Sequence, residues 1–149
     1  MGSDLHEAAN LLLGDRQELW YASSNDLNAR LLPPGIYGLS NHLLDTPWPK
    51  VVRGKTGLGQ LLNRSAFDHE VAFTLLADST RATDAELPDT GVSLEWEQAL
   101  SSIFVSRPNY GTRCSTLFMI GADGQKSFLE RRYNRAPQEW QQSEFTWKP

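Results

Sequence analysis

Short apolar runs alternate with turn residues over the first 40 positions of the chain. Apolar runs at 8–13 and 19–23 flank a Gly-Asp pair, and two short runs around such a turn predict a β-hairpin. Further runs at 29–32 and 36–40 are separated by a Pro-Pro-Gly turn, so two more strands are predicted there. This part of the chain is therefore predicted to form an antiparallel meander with tight turns.

Beyond position 46 the apolar residues recur every three to four positions, which is typical of helices. The spacing predicts a helix that begins at Pro47 with Thr46 as its N-cap, because proline lacks only an N–H that the first turn leaves unpaired. Three glycines inside this helix each cost about 1 kcal/mol relative to alanine. Two further short helices are predicted, at 70–77 and after Ser93, which is followed by glutamates in the first turn.

The last third of the chain returns to strand patterns, at 115–120, 127–133 and 142–148. An Asp-Gly pair between the first two predicts a tight hairpin turn, since both residue types tolerate positive φ. Strands, then helices, then strands indicate an α+β fold with an antiparallel sheet and helices packed on one side. With no linker or repeat in the sequence, we expect residues 1–149 to form a single domain.

Composition and charge narrow the classes of function. The 149 residues are 40% hydrophobic with a net charge of -4, and no concentrated basic stripe points to nucleic acid. No apolar run approaches the roughly 18 residues of a membrane span. The single Cys114 excludes an internal disulfide and a Cys-x-x-Cys zinc site, and the three dispersed histidines predict no metal site. The chain suits a reducing compartment such as the cytoplasm, or any compartment if the thiol is buried.

The richest candidate chemistry lies in the connection between the meander and the first predicted helix. Loops at the end of a sheet are frequent positions for binding groups, and we predict that this one binds a ligand through Ser40, Asn41, His42, Asp45, Trp48 and Lys50. Each has a structural alternative. Asn41 is equally a turn residue, Asp45 suits a helix cap, and Trp48 suits a packing anchor. Lys50 is either solvated surface or a contact for an anionic partner.

A second group of candidates precedes the strand at 115–120. Tyr110 offers a flat apolar surface, and the five donors of Arg113 suit a carboxylate ligand or an internal aspartate. The neighbouring Cys114 is interpreted as a small buried apolar residue rather than a nucleophile. Arg131 and Arg132 are interpreted as solvated surface rather than a phosphate site, since neighbours on a strand point to opposite faces.

Two blocks in that connection resemble a motif of the NRDE family, the family of transport and Golgi organisation protein 2. Positions 38–41 read Gly-Leu-Ser-Asn, and positions 44–51 read Leu-Asp-Thr-Pro-Trp-Pro-Lys-Val. Weaker blocks follow in the family's order at 87–91 and 110–113. The family's Met-Cys start and its Asn-Arg-Asp-Glu motif are absent. The chain therefore resembles the C-terminal half to two-thirds of the family's domain.

The resemblance implies both a fold and a possible chemistry. Intact members are similar to N-terminal nucleophile hydrolases, whose αββα sandwich places a cysteine nucleophile beside an oxyanion-binding asparagine. Asn41 resembles that asparagine, and Arg113 resembles the arginine near the nucleophile. We therefore expect the two side chains to face a shared cavity. Because the cysteine has no counterpart here, we expect this chain alone to lack hydrolase activity.

The family is linked to Golgi organisation and secretion, to mobilisation of haem, and to lipid or acyl-thioester metabolism. The resemblance thus implies a non-enzymatic ligand-handling or trafficking domain for haem or a lipid or acyl-type ligand. One alternative is a portion of an amidohydrolase whose nucleophile is absent from this chain. Another is a module that pairs through an exposed strand edge, which would make a homodimer.

Overall fold

A computed structural model describes residues 9–134 and 136–148 of the chain. It contains two compact units, the first ending at Thr46 and the second beginning at Pro47. Both contain antiparallel sheet, and the helices lie in the second unit, so the predicted α+β class is confirmed. The strands of the described residues form three antiparallel sheets, two of three strands and one of two.

The first unit is a three-stranded antiparallel meander. Its strands are β1 (Asn10–Gly14), β2 (Leu19–Ser23) and β3 (Asp26–Leu31), in that spatial order. The β1–β2 turn forms because the Asp15 carboxylate accepts the N–H groups of Gln17 and Glu18, at 2.7 and 3.0 Å. These backbone hydrogen bonds lower the pKa of Asp15. The predicted hairpin is confirmed to within two residues.

The strand predicted at 36–40 is absent, and that prediction is wrong. Residues 36–48 form irregular backbone and bends. The reason is a local one: the N–H of Asp45 donates to the carbonyl of Gly38 at 2.8 Å, and the N–H of Gly38 donates to the carboxylate of Asp45 at 2.8 Å. This pair of bonds closes a loop where a strand would need a neighbouring strand.

Three α-helices form the helical part of the second unit: α1 (Pro49–Leu62), α2 (His69–Leu76) and α3 (Leu94–Leu100). A 3₁₀ turn at Asp84–Glu86 lies between α2 and α3. The predicted helices are confirmed, but α1 begins two residues later than expected. Its N-cap is Trp48 and its first residue is the second proline of the Pro-Trp-Pro segment.

The second unit ends in strands. A short hairpin of β4 (Ser106–Arg107) and β5 (Tyr110–Gly111) precedes a three-stranded antiparallel sheet of β6 (Cys114–Ile120), β7 (Lys126–Tyr133) and β8 (Trp140–Trp147). The predicted Asp-Gly turn joins β6 to β7, and its glycine has the positive φ, 80°, that favours this residue.

One face of the β6–β7–β8 sheet carries the core of the second unit. Leu129 and Tyr133 of β7 are buried on this face, and α2 packs against β6. The Tyr133 ring meets the ring of buried Phe104 edge-on, with centroids 4.8 Å apart. Each such large side chain contributes about 1.5–3 kcal/mol by leaving water. This packing fixes the end of β7.

The opposite face of the same sheet is apolar and exposed at one end. Phe118 pairs with Phe128, which pairs with Phe145 across the three strands. Phe118 is 54% exposed and Phe145 is 59% exposed. In the first unit, one face likewise carries exposed apolar side chains, on Leu11, Leu13, Trp20 and Leu31.

Among the residues that the structure describes, no helix combines the length and apolarity needed to cross a membrane.

Candidate functional site

The first unit holds the loop 38–46 in place through one buried tyrosine. The Tyr21 side chain is 1% exposed. Its hydroxyl donates to the Asn10 side-chain oxygen at 2.7 Å and accepts the N–H of Leu44 at 3.1 Å. The amide nitrogen of Asn10 then donates to the carbonyl of His42 at 3.2 Å. The loop is therefore positioned by β1 and β2, through two residues that the sequence pattern did not mark as part of the site.

Asp45 has a structural role at the end of this loop. It is a non-glycine residue with positive φ, 62°, and such a conformation persists where the surroundings determine it. The two bonds that it exchanges with Gly38 supply that constraint. The helix-cap alternative for Asp45 is wrong, because the N-cap of α1 is Trp48.

His42 lies next in the loop with a defined ring orientation. Its Nδ1 is 2.8 Å from the hydroxyl oxygen of Thr46, and that hydroxyl donates its proton to the carbonyl of Leu43 at 2.8 Å. The Thr46 hydroxyl therefore lies between the His42 ring and the Leu43 carbonyl and connects the two.

Ser40 and Asn41 form the outer part of the loop. The hydroxyl of Ser40 donates to the side-chain oxygen of Asn41 at 3.3 Å, and the Asn41 side chain is exposed. This contact orients the Asn41 amide but leaves the predicted oxyanion role untested. Asn41 belongs to the first unit and Arg113 to the second, so the cavity predicted to join them also stays a prediction.

Trp48 and Lys50 begin the second unit. The Lys50 ammonium lies 5.6 Å from the centroid of the Trp48 ring, within cation–π range. Burial lowers the pKa of Lys50, and the negative charge of Glu97 partly opposes that effect. Glu97 is itself buried and accepts the N–H and the hydroxyl of Thr90, at 2.7 and 2.6 Å. Lys50 is thus half-buried, in contrast to the solvated alternative considered for it.

Tyr110 lines a small aromatic cavity on the β4–β5 hairpin. The cavity has a volume of about 350 Å³, and its wall includes Trp96, whose ring meets that of Tyr110 at 83° with centroids 5.3 Å apart. The guanidinium of Arg107 stacks on Trp96 at 4.3 Å and pairs with Glu95 at 2.5 Å. Trp96 is missing from the predicted ligand-binding residues, because helical spacing does not distinguish a core residue from a cavity wall.

Arg113 lines a larger and more polar cavity, of about 590 Å³, at one end of the β6–β7–β8 sheet. The Tyr133 N–H donates to the Arg113 carbonyl at 2.9 Å, which extends the β6–β7 pairing by one step. Within residues 9–134 and 136–148, the Arg113 guanidinium makes no hydrogen bond or ion pair, so the internal aspartate considered for it is not found there. The other lining residues are Arg132, Tyr133, Asn134, Gln138, Glu139, Trp140 and Gln141.

Cys114 begins β6 and is exposed, so the expected burial of this thiol is wrong. As an internal residue it has no free α-amine to act as a base. In the part of the chain that the structure describes, no cluster of three or more His, Cys, Asp or Glu side chains could hold a metal ion.

Residues 3–135 of this chain match a family model described as "Transport and Golgi organisation 2". The human protein named "Transport and Golgi organization protein 2 homolog" is 33% identical over 145 residues, which cover 88% of this chain and 52% of that protein. The mouse "Transport and Golgi organization 2 homolog" is 32% identical over 120 residues, covering 75% of this chain and 44% of that protein.

The chain therefore belongs to the transport and Golgi organisation 2 family, as its resemblance to the NRDE family predicted. It spans about half the length of the curated relatives that it matches.

Proposed function

We propose that this chain is a non-enzymatic ligand-handling domain that binds a small molecule with an anionic head group, haem or a lipid or acyl-type ligand. The observation that carries the proposal is the 590 Å³ cavity lined by Arg113, whose guanidinium is unpaired among the described residues. A cation without a partner at a cavity is suited to an anionic ligand. The names of the relatives, which refer to transport, are consistent with this role.

Family membership is also the basis for two further predictions about intact members. These are the αββα sandwich of the N-terminal nucleophile hydrolases and amide hydrolysis supported by Asn41 and Arg113. Neither has support beyond the resemblance, and ligand handling needs neither. Ligand handling is therefore the function proposed here.

Ligand titration tests the proposal. We expect hemin, oleate or an acyl-coenzyme A to bind the purified chain, with a Soret shift for hemin or quenching of tryptophan fluorescence for the other two. Arg113→Gln should weaken binding of the ligand by about tenfold, because a charge-assisted hydrogen bond is lost. Arg64→Gln is the control, since Arg64 is exposed and does not line this cavity. Absence of binding by all three ligands contradicts the proposal.

A second candidate function is homodimerisation through β1, and one observation favours it. Among the described residues β1 is paired on one side only, with β2, and it reads Asn-Leu-Leu-Leu-Gly. No charge, proline or bulge protects this edge. A two-fold axis at Leu12 would place Leu11 opposite Leu13 of a second copy, which makes the strand self-complementary.

Light scattering at increasing concentration tests this candidate. We expect a mass that approaches that of a dimer, and Leu12→Lys should return it to a monomer because charges on an edge strand oppose pairing. Leu62→Lys is the matched control, since Leu62 has a similar exposure, 53% against 47%, but lies in α1. A monomer at every concentration excludes the dimer.

A further inference from the structure

We infer that the aromatic cavity on the β4–β5 hairpin binds a small uncharged aromatic molecule, with the rings of Trp96 and Tyr110 as its walls. The residues that line this cavity differ from those that line the cavity at Arg113. The inference therefore goes beyond the proposed function, and each can fail without the other. The remaining lining residues are Arg107, Pro108 and Asn109.

The hairpin that carries most of the cavity wall is held in one shape. Arg107 and Tyr110 pair across β4 and β5, on either side of a tight turn. At the base of the hairpin, the N–H of Thr112 donates to the carbonyl of Val105 at 2.8 Å, and the N–H of Val105 donates to the hydroxyl of Thr112 at 3.0 Å. A Cβ at Gly111 would lie 2.5 Å from the Val105 carbonyl oxygen, so glycine permits this close approach. A wall fixed in this way loses little freedom when a ligand binds.

Arg107 joins the hairpin to α3 and thereby fixes the position of Trp96. Its guanidinium donates to the carbonyl of Glu95 at 3.2 Å and pairs with the Glu95 carboxylate at 2.5 Å. The same guanidinium lies 4.3 Å from the centroid of the Trp96 ring. The Trp96 and Tyr110 rings meet at 83°, so the cavity is bounded by two flat surfaces that are nearly perpendicular.

The charge at this cavity is already paired. Among the lining residues that the structure describes, Arg107 alone is charged, and Glu95 neutralises it. An anion would have to compete with Glu95 for the guanidinium, and a cation would approach the positive charge of Arg107. An uncharged molecule meets neither cost. The cavity at Arg113 differs in this respect, since the guanidinium there has no partner among the described residues.

The size and the walls of the cavity favour an aromatic ring. Its volume of about 350 Å³ lies at the small end of the range for ligand sites, roughly 300–1,000 Å³. Aromatic rings attract each other in edge-to-face and offset-stacked arrangements, and Trp96 and Tyr110 together can offer both. The Asn109 amide and the Tyr110 hydroxyl can bond a hydroxyl or N–H group of the ligand. The site therefore fits one aromatic ring with a short neutral polar substituent.

Four molecules with one ring and one short substituent test the inference on the full chain: benzyl alcohol, cyclohexylmethanol, benzoate and benzylammonium. NMR titration follows the indole N–H of Trp96, which is assigned with Trp96→Phe. We expect benzyl alcohol to bind about threefold to tenfold more tightly than cyclohexylmethanol, because aromatic contacts add to the effect of burial. Benzoate and benzylammonium should each bind at least about tenfold more weakly than benzyl alcohol, because their charges lose water without gaining a partner.

Tyr110→Leu tests the cavity itself, because it removes the aromatic ring but keeps an apolar side chain. It should weaken benzyl alcohol binding by about threefold to tenfold. Tyr110 is 53% exposed, so the melting temperature should remain close to that of the parent chain. Phe145→Leu is the matched control, since Phe145 is a 59% exposed strand residue of the same unit that does not line this cavity. Arg113→Gln should likewise leave benzyl alcohol binding unchanged.

Each result bears on one part of the inference. Equal affinities for benzyl alcohol and cyclohexylmethanol overturn the aromatic class, and benzoate or benzylammonium that binds as tightly as benzyl alcohol overturns the uncharged class. Equal weakening by Tyr110→Leu and Phe145→Leu places the ligand on exposed apolar surface and overturns the site. If benzyl alcohol does not shift the Trp96 indole N–H, the inference is wrong, whereas hemin, oleate or an acyl-coenzyme A that binds through Arg113 still supports the proposed function.

Discussion

Adjacent arginines on β7 show how far a single residue can be interpreted from sequence. Both were predicted to be solvated surface, which is correct for Arg132 and wrong for Arg131. The Arg131 side chain is buried, with its guanidinium 4.1 Å from the Phe73 ring centroid and 4.0 Å from that of Trp140. It also bonds to Gln142 at 2.9 Å and pairs with Glu70. Alternation along the strand showed that the two differ, but it did not show which face meets α2.

The buried arginine leads to a residue-level prediction about stability. We expect Arg131→Ala to lower the free energy of unfolding by about 2–3 kcal/mol, because two desolvated cation–π contacts and their hydrogen bonds are lost. Arg131→Lys should recover only part of this loss, since an ammonium cannot stack as a planar group. Urea denaturation measures both changes.

The neighbouring residue supplies the control for that experiment. Arg132→Ala should change stability by no more than about 0.5 kcal/mol, because its side chain is exposed. Equal losses for the alanine variants of Arg131 and Arg132 would contradict the assignment of faces on β7.

The residues that line the two cavities were only partly predicted from the sequence. Tyr110 and Arg113 were predicted and each lines a cavity, whereas Arg132 and Trp140 were not predicted as ligand-binding residues. The predicted hairpin turn did not locate Arg132. A two-residue Asp-Gly turn is centred between positions 123 and 124 and would put Arg132 opposite Ser115, whereas the observed register is centred on Asp123 and puts Arg132 opposite Cys114.

At the scale of elements, the sequence predicts whether a helix or a strand is present better than it predicts the residues at which that element begins and ends. The strand pair at the predicted Asp-Gly turn and the helices at 70–77 and after Ser93 are present, since their patterns and caps agree. The strand predicted at 36–40 failed because its backbone bonds go to Asp45 seven residues later, a contact that apolar patterning does not report.

Alanine substitutions at two glycines of α1 are predicted to have opposite effects on stability. A Cβ at Gly57 would lie 2.5 Å from the Leu75 side chain of α2, whereas a Cβ at Gly54 would meet Ile103 at an ordinary 3.7 Å. We expect Gly54→Ala to stabilise the protein by about 0.5–1 kcal/mol through helix propensity. Gly57→Ala should be less stable than Gly54→Ala by about 1–2 kcal/mol, because α1 and α2 must separate or Leu75 must move.

Thermal unfolding of the two alanine variants checks this prediction. The expected order of melting temperature is Gly54→Ala, then the parent chain, then Gly57→Ala. Equal stabilisation by both substitutions would show that close packing of α1 on α2 does not limit the size of residue 57.

The end of α2 gives a prediction about pH. Burial raises the pKa of Asp78, but hydrogen bonds from Thr80 and the charge and hydrogen bond of Arg53 outweigh burial and leave this pKa below its ordinary value. Arg53 lies 3.3 Å from the carboxylate and also donates to the carbonyls of Thr80 and Ser101. Arg53 therefore joins α1 to the segments that follow α2 and α3, and Asp78 is its charged partner.

A carboxylate whose pKa is lowered by folding stabilises the protein above its unfolded pKa, about 3.9 for aspartate, and loses that effect as pH falls through the lower folded value. We expect Asp78→Asn to cost about 1–2 kcal/mol at pH 7. The difference from the parent chain should stay constant down to about pH 5 and shrink below about pH 4. Urea denaturation at pH 7, 5 and 3 measures it, and a difference that does not depend on pH would contradict the role of the charge.

On the scale of the whole molecule, the most informative property is apolar surface that remains in contact with water. Each three-stranded sheet has one face with exposed large apolar side chains, including Leu11 and Leu13 in the first unit and Phe118 and Phe145 in the second. Contiguous patches of this kind on a soluble protein mark interaction sites or aggregation risk. Period-two patterning predicted which residues share a face, but exposure depends on what covers that face.

The exposed face of the β6–β7–β8 sheet can be tested by replacing its two most exposed phenylalanines. We expect the double variant Phe118→Thr, Phe145→Thr to reduce the fluorescence of bound anilinonaphthalene sulfonate, because this dye binds exposed apolar surface. Threonine retains strand propensity. Loss of the Phe118–Trp147 and Phe128–Phe145 ring contacts should cost no more than about 1–2 kcal/mol in total.

Phe73→Leu is the control for that experiment, since Phe73 is buried in the same unit. It should lower stability by about 1 kcal/mol or more without reducing dye binding by the native protein. If the double variant unfolds instead, and dye fluorescence rises, the two rings are covered in solution and the face is not exposed. A second copy or a partner is then one source of that cover.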